Sequence, residues 1–287
     1  MNWLRDLAVL GKLRIQFFAI GAALVSLSLA LEGMPSLSLS LRLTAGLLLV
    51  CGGAAALNQA LEADTDALME RTRVRPIPAG RMAAQTVFWA SLAVAAAGCL
   101  WLAWQVDPLT GALAALMVIL YDFVYTPLKR RTSLNTLVGA VPGAFPVLLG
   151  WSAAGQGLNP TAWVLFGILF VWQFPHFMAV AWLLREDYRR AGLRMISVGD
   201  IGARLTGRQA ANYALLLVPV SLLPSLTAGA GSLYIIGALS LSLAFLATSL
   251  YFWQGSSFSQ ARLLMRASLL YLPSLLALMV VDLLQAT

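Results

Sequence analysis

The sequence predicts an all-α polytopic membrane protein, a bundle of about nine transmembrane helices, on three observations. Hydrophobic residues fill 60% of the 287 positions and charged residues only 11%. The mean hydropathy is +0.81, above what the core of a water-soluble domain requires. Apolar runs of roughly twenty residues, the length a helix needs to cross a bilayer, recur along the chain. The runs are too long for strands and lack the alternation of a membrane barrel.

Apolar runs between polar clusters give the elements in order. The first span, 15 to 31, follows Lys12 and Arg14, and the second, 41 to 62, ends in an acidic cluster. The third, 85 to 105, and the fourth, 109 to 126, are separated by Asp107 and Pro108. The fifth, 134 to 153, follows a basic loop, and the sixth, 161 to 184, ends at Arg185. The seventh, eighth and ninth cover 210 to 228, 232 to 253 and 263 to 284. No linker, low-complexity tract or fixed-period repeat interrupts the series, so residues 1–287 are expected to form a single integral-membrane domain.

Basic residues in short loops stay on the cytoplasmic side. Lys12 and Arg14 precede the first span, Arg71 to Arg81 follow the second, Lys129 to Arg131 follow the fourth, and Arg185 to Arg208 follow the sixth. Arg262 and Arg266 precede the ninth, and only Arg42 falls on the other side. The expected orientation has the N-terminus cytoplasmic and the C-terminus external. The formal charge of +7 then reflects topology and an anionic substrate, with no nucleic acid implied. The opening Met1 to Asp6 shows no cleavable signal or transit pattern, so the first span is expected to remain as an anchor. Cys51 and Cys99 fall inside spans and read as packing residues.

Four carboxylates and three arginines crowd the stretch from Asn58 to Pro78. Asn58, Glu62 and Asp66 are spaced i, i+4, i+8 and lie along one face of a helix, whereas Asp64 points away. Hard oxygen donors in this pattern suit Mg²⁺, which keeps waters and takes phosphate oxygens from a substrate. Arg71 and Arg75 downstream suit the same phosphates, because a guanidinium offers paired donors. A solvated helix end is the plain alternative, but carboxylates at a membrane edge are costly without a partner. Arg75-Pro76-Ile77-Pro78-Ala79-Gly80-Arg81 makes a stiff connector.

Asn-x-x-x-Glu-x-x-x-Asp followed by Met69-Glu70-Arg71-Thr72 and Arg75-Pro76 resembles the first aspartate-rich motif of the UbiA superfamily of intramembrane prenyltransferases, and more particularly its heme O synthase branch. Many members carry Asp where this chain has Glu62. Two further blocks carry the resemblance: Tyr125-Thr126-Pro127-Leu128-Lys129-Arg130-Arg131-Thr132 with Asn135, Gly139 to Pro146 and Gly150-Trp151, and Trp172-Gln173-Phe174-Pro175-His176-Phe177 with Arg185-Glu186-Asp187-Tyr188. The matching blocks span roughly 58 to 196. Relatives often open the first span with Lys-Pro-Arg, whereas this chain reads Lys12-Leu13-Arg14, which leaves the helix start there open. Relatives outside the heme branch carry a richer second Asp motif where this chain offers Glu186 and Asp187.

The resemblance implies transfer of a farnesyl group from farnesyl diphosphate to a vinyl group of protoheme IX (heme B), giving heme O and diphosphate. It implies Mg²⁺ held by Asn58, Glu62, Asp66 and Asp187; diphosphate bound by Arg71, Arg75, Lys129 and Arg130; and catalytic roles for Asn58, Glu62, Asp66, Lys129 and Asp187. Lys129 and Arg130 read equally as topology signals. Heme contacts are implied for Gln173, His176 and Tyr188, although a lone histidine in an apolar helix is more often a packing residue. Asp122, near the end of the fourth span, is expected to pair with Lys129 or an arginine. The implied setting is a bacterial inner membrane with a cytoplasmic active site, and the implied partners are the lipid bilayer and a heme A synthase or terminal oxidase. The alternatives are a prenyltransferase for an aromatic quinone precursor, a non-catalytic heme-handling assembly factor, and a transporter.

Overall fold

A computed structural model describes residues 3–198 and 202–286. A short helix α1 (Trp3–Gly11) precedes the first span α2 (Leu13–Ala30), and α3 (Leu37–Leu61) leads into a one-turn extension α4 (Ala63–Leu68). Then follow α5 (Ala84–Gln105) and α6 (Pro108–Val118), a π-helical segment (Ile119–Tyr125), α7 (Thr126–Leu128), α8 (Asn135–Ser152), α9 (Pro160–Leu183) and α10 (Arg185–Arg190). The chain ends with α11 (Gly202–Val220), α12 (Pro224–Thr227), α13 (Ser232–Gly255) and α14 (Phe258–Ala286). No strand occurs among the described residues. Within a bilayer this follows from the need to satisfy every backbone polar group inside its own segment.

Among the described residues, eight helices are long and apolar enough to cross a membrane, the fourth running through the π segment as Pro108–Leu128. The expected fifth span, 134 to 153, is the helix α8, which is not among those eight and carries Pro142 and Pro146 inside it. It is nonetheless the most enclosed helix, buried along most of its length. It packs on α2, α6, the π segment and α9, while α9 packs on α8, α11 and α14. The remaining helices surround this pair, and α14 closes back on α2.

Close approach between helices depends on missing side chains, which is how bundles in lipid gain dispersion contacts. α3 and α5 meet at Gly53 and Gly98; a Cβ on Gly53 would lie 2.7 Å from the Ala95 backbone nitrogen, and one on Gly98 would lie 2.8 Å from that of Val50. Cys51 and Cys99 are both free thiols. The α1 helix is tied down by Asp6, which accepts two hydrogen bonds from Arg81 at 2.9 and 3.0 Å. The Arg81 guanidinium holds the Asp6 carboxyl below its usual pKa. Lys12 links α1 to α2 in the left-handed region at φ 49°, uncommon for a residue with a Cβ. Helix α2 thus starts at Leu13 with no proline in its first turn.

Candidate active site

Glu62 ends α3 at φ −102°, so the expected continuous helix through Asp66 is broken at its middle member. The ladder nevertheless continues across the break, with Glu62 N–H donating to the Asn58 carbonyl and Asp66 N–H to that of Glu62. The i, i+4, i+8 alignment survives for that reason. Asn58 and Asp66 are both buried to 1% exposure, whereas Asp64 is exposed.

Each of the three donors faces a cation. Lys12 Nζ donates to Asn58 Oδ1 at 3.1 Å. Lys129 Nζ lies 2.8 Å from Glu62 Oε1 and 2.9 Å from Oε2, and Arg75 Nη1 lies 2.6 Å from Asp66 Oδ2. Asn58 Nδ2 donates to Thr126 Oγ1 at 2.9 Å, which joins α3 to α7. Thr72 Oγ1 donates to the Asp66 carbonyl and fixes the turn that brings Arg75 back. Lys129 also sits 4.6 Å from the centre of the Tyr125 ring, a cation–π contact. Burial works against its charge, but Tyr125 and Glu62 more than offset that and hold its pKa above the ordinary lysine value. Burial pushes Asp66 up in spite of Arg75, and burial together with Lys129 and Arg75 lowers Lys12 to about 8.

The third sequence block reaches the same place through α10. Asp187 Oδ1 accepts the Glu70 backbone N–H at 3.2 Å and pairs with Arg190 at 2.8 Å, and Arg190 also binds Glu70 at 2.8 Å. Tyr188 packs beside Met69, Ala191 and Leu193. The following loop is stitched to the second block: Arg194 N–H donates to the Lys129 carbonyl, and Asn135 Nδ2 donates to that of Arg194 at 3.0 Å. Arg130 pairs with the exposed Asp64. Arg71 is exposed and makes no ion pair among the described residues.

One expectation needs correction, and two placements add to the others. Asp122 is fully buried in the π segment, and neither carboxylate oxygen has a hydrogen-bond partner; Lys129 is taken by Glu62 instead. The three residues expected to contact heme are not brought together. Gln173 Nε2 donates to the Ala140 and Leu169 carbonyls, toward α8. His176 Nδ1 bonds Ser268 Oγ at 2.8 Å and its ring stacks on Trp172, toward α14, while Tyr188 packs against Met69 and Leu193. Finally, Lys12, which sequence reading counts only as a topology signal, belongs to the site. Nothing in the sequence separates it from the other basic residues beside the spans, and the chain departs there from the Lys-Pro-Arg start that the resemblance implies.

Below the ionic cluster lies an apolar chamber of about 180 Å³, walled by α2, α3, α6 and α8, with Lys12, Gln16, Tyr121 and Pro142 in its lining. Among the described residues no group of three acidic, histidine or cysteine side chains closes around one point. The donor set is two carboxylates, an amide oxygen and a ring of cationic heads already drawn to those oxygens. That set fits Mg²⁺ when a phosphate supplies further oxygens, because this ion is bound by one or two carboxylates plus waters and substrate.

Residues 19–272 match the UbiA prenyltransferase family. The chain is 44% identical to a protoheme IX farnesyltransferase of Solibacter usitatus, over 82% of this chain and 80% of that protein. It is 39% identical to one of Koribacter versatilis, over 97% and 93%. The solved structure of a UbiA homolog from Archaeoglobus fulgidus bound to DMAPP and Mg2+ superposes with a TM-score of 0.69 at 14% identity, covering 96% of this chain and 99% of that one. The chain belongs to the UbiA prenyltransferase family and is an integral multi-pass membrane protein.

Proposed function

We propose that this family member transfers the farnesyl group of farnesyl diphosphate to a vinyl group of protoheme IX, giving heme O and diphosphate. One observation carries the diphosphate half: the cross-paired Arg75–Asp66, Lys129–Glu62 and Lys12–Asn58 contacts, of which Lys12 also lines an apolar chamber. The acceptor is supported by relatives named protoheme IX farnesyltransferase along most of the chain. The whole chain, 1–287, acts as one prenyltransferase domain, with its site and N-terminus on the cytoplasmic side of a bacterial inner membrane and its C-terminus external.

The site works by exchange of partners. Without substrate, Lys129 and Arg75 are paired with Glu62 and Asp66 while Lys12 donates to the neutral Asn58 amide oxygen, so two of the three buried cations carry a counter-charge at the membrane edge. When diphosphate enters, Lys12, Lys129 and Arg75 turn to its oxygens, with Arg71 and Arg130 reaching it from the rim. Asn58, Glu62 and Asp66 would then be free to hold the metal, with Asp187 offering a further oxygen from α10. Mg²⁺, when bound, neutralises the diphosphate and favours its departure.

The C1–O bond of the donor breaks and its electron pair leaves with diphosphate. Lys129 and Arg75 stabilise the charge that grows on the departing oxygen. The apolar chamber keeps water from the allylic cation while the vinyl terminus forms the new C–C bond. The cation left beside the ring then takes water, which loses a proton and becomes the hydroxyl of the product. Gln173 and His176 would bear on protoheme through the α8–α9–α14 packing, and Tyr188 from α10. The product passes to a heme-modifying enzyme or a terminal oxidase.

The test is mass analysis of heme extracted after purified protein is incubated with protoheme, farnesyl diphosphate and Mg²⁺. Heme O is expected, and it disappears when the metal is chelated. Turnover of a hydroxybenzoate in place of protoheme would overturn the choice of acceptor.

A further inference from the structure

The Asn58 amide is caught between two groups of opposite character. On one side Lys12 Nζ, a donor only, meets its Oδ1 at 3.1 Å. On the other, Asn58 Nδ2 donates to Thr126 Oγ1 at 2.9 Å, and Thr126 Oγ1 donates in turn to the Tyr121 carbonyl at 2.9 Å. A carbonyl accepts only, and a hydroxyl carries one proton. That proton is committed to Tyr121, so what Thr126 shows to Asn58 is a lone pair. Asn58 and Thr126 are both buried.

We infer that Thr126 is a positioning residue for the metal site: it fixes which end of the Asn58 amide faces the ion, and the π segment supplies the register in which it can do so. An amide ligates a hard cation through its oxygen. Turned end for end, Asn58 would present N–H donors to the ion and be lost as a ligand. Lys12 holds the oxygen outward only until it turns to the diphosphate. Thr126 grips the nitrogen end and holds the amide throughout.

The register matters as much as the hydroxyl. Thr126 N–H donates to the Tyr121 carbonyl, five residues back, the pattern of a π-helix, and the Thr126 hydroxyl reaches the same oxygen. In an α-helix a threonine hydroxyl reaches back three or four residues instead. At 3.6 residues per turn, positions 121 and 126 would then stand on nearly opposite sides of the helix. The π segment brings them to one side, and that side meets α3 at Asn58.

This inference rests on the reading of the site as one for Mg²⁺ and diphosphate but not on protoheme as acceptor, so metal affinity is the readout. Calorimetry in detergent follows Mg²⁺ binding with inorganic diphosphate present, after subtraction of the association of the two ions in free solution. The natural chain is compared with Thr126→Val, Thr126→Ser, Asn58→Asp and the double variant Asn58→Asp with Thr126→Val. Thr126→Val keeps the shape and loses the acceptor. Mg²⁺ should bind it at least about tenfold more weakly, the lower end of what losing a ligand's hydrogen-bond partner costs, and Thr126→Ser should bind like the natural chain. In Asn58→Asp both ends of the side chain are oxygens and no orientation has to be chosen. Adding Thr126→Val there should leave affinity nearly unchanged, a coupling that the double-mutant cycle reads directly. An equal loss in both backgrounds, as expected if Thr126 merely packs α7 on α3, overturns the inference, and so does unchanged affinity in Thr126→Val alone. Should Thr126→Val lose its cooperative melting, Thr126→Ala takes its place in the cycle. Failure of the natural chain to bind Mg²⁺ with diphosphate present would instead sink the metal reading itself.

Discussion

The two ends of the third sequence block look alike in the sequence and differ in the structure. At Arg185–Arg190, every acidic side chain faces a cation, and Asp187 reaches across to the backbone of Glu70. At Trp172–Phe177, His176 meets one serine hydroxyl and stacks on one indole ring. The first is a site of exchangeable charge, and the second an aromatic helix interface. Charged and aromatic residues of one sequence block thus sit on different helix faces, and the prediction for each substitution depends on which face it touches.

The largest effect is expected from Glu62→Gln combined with Asp66→Asn. Removing both carboxylates should lower kcat/KM by at least about a thousandfold, with the two losses less than additive because the residues act as a unit. Steady-state turnover of the single and double variants checks this. Near-natural activity in the double variant would erase the distinction between the two faces.

Lys129→Ala comes next. It should cost roughly 100- to 1,000-fold in kcat, the scale of losing one preorganised charge contact. It should also destabilise the chain by about 3–5 kcal/mol, because Glu62 is left buried and unpaired. The double variant Lys129→Ala with Glu62→Gln should regain stability in thermal melts while remaining inactive. That pattern separates structural pairing from catalysis.

His176→Ala sharpens the other side. It should raise the KM for protoheme about tenfold, as expected for one contact worth about 1.4 kcal/mol, and leave donor affinity unchanged in calorimetry. Weakened donor binding would show that the two faces are not separate. The smallest effect belongs to Arg130→Ala, whose partner Asp64 is exposed. An exposed pair contributes about 0.2–1 kcal/mol, so melting should hardly move and donor affinity should fall a few-fold at most.

Much of this was legible before any coordinates. The spans follow from hydropathy, and the acidic face follows from a spacing that survives even though the helix breaks at Glu62. Lys12 was hidden because a basic residue before a first span reads as topology; only the left-handed turn that points it at Asn58 distinguishes it. The divergence of Gln173 and His176 was hidden for a different reason. Three residues apart on a helix, they would share a face, but α9 is central enough that one edge of that face meets α8 and the other meets α14. The π segment around Asp122 has no sequence signature in an apolar run.

The central claim is that the cations guard the metal donors until a diphosphate takes them away. Calorimetric titration of Mg²⁺ with and without inorganic diphosphate tests it directly. Mg²⁺ should bind at least about tenfold tighter when diphosphate is present, and diphosphate should gain the same factor when Mg²⁺ is present, as linkage requires. Affinities independent of one another, beyond the association of the two ions in free solution, would contradict it.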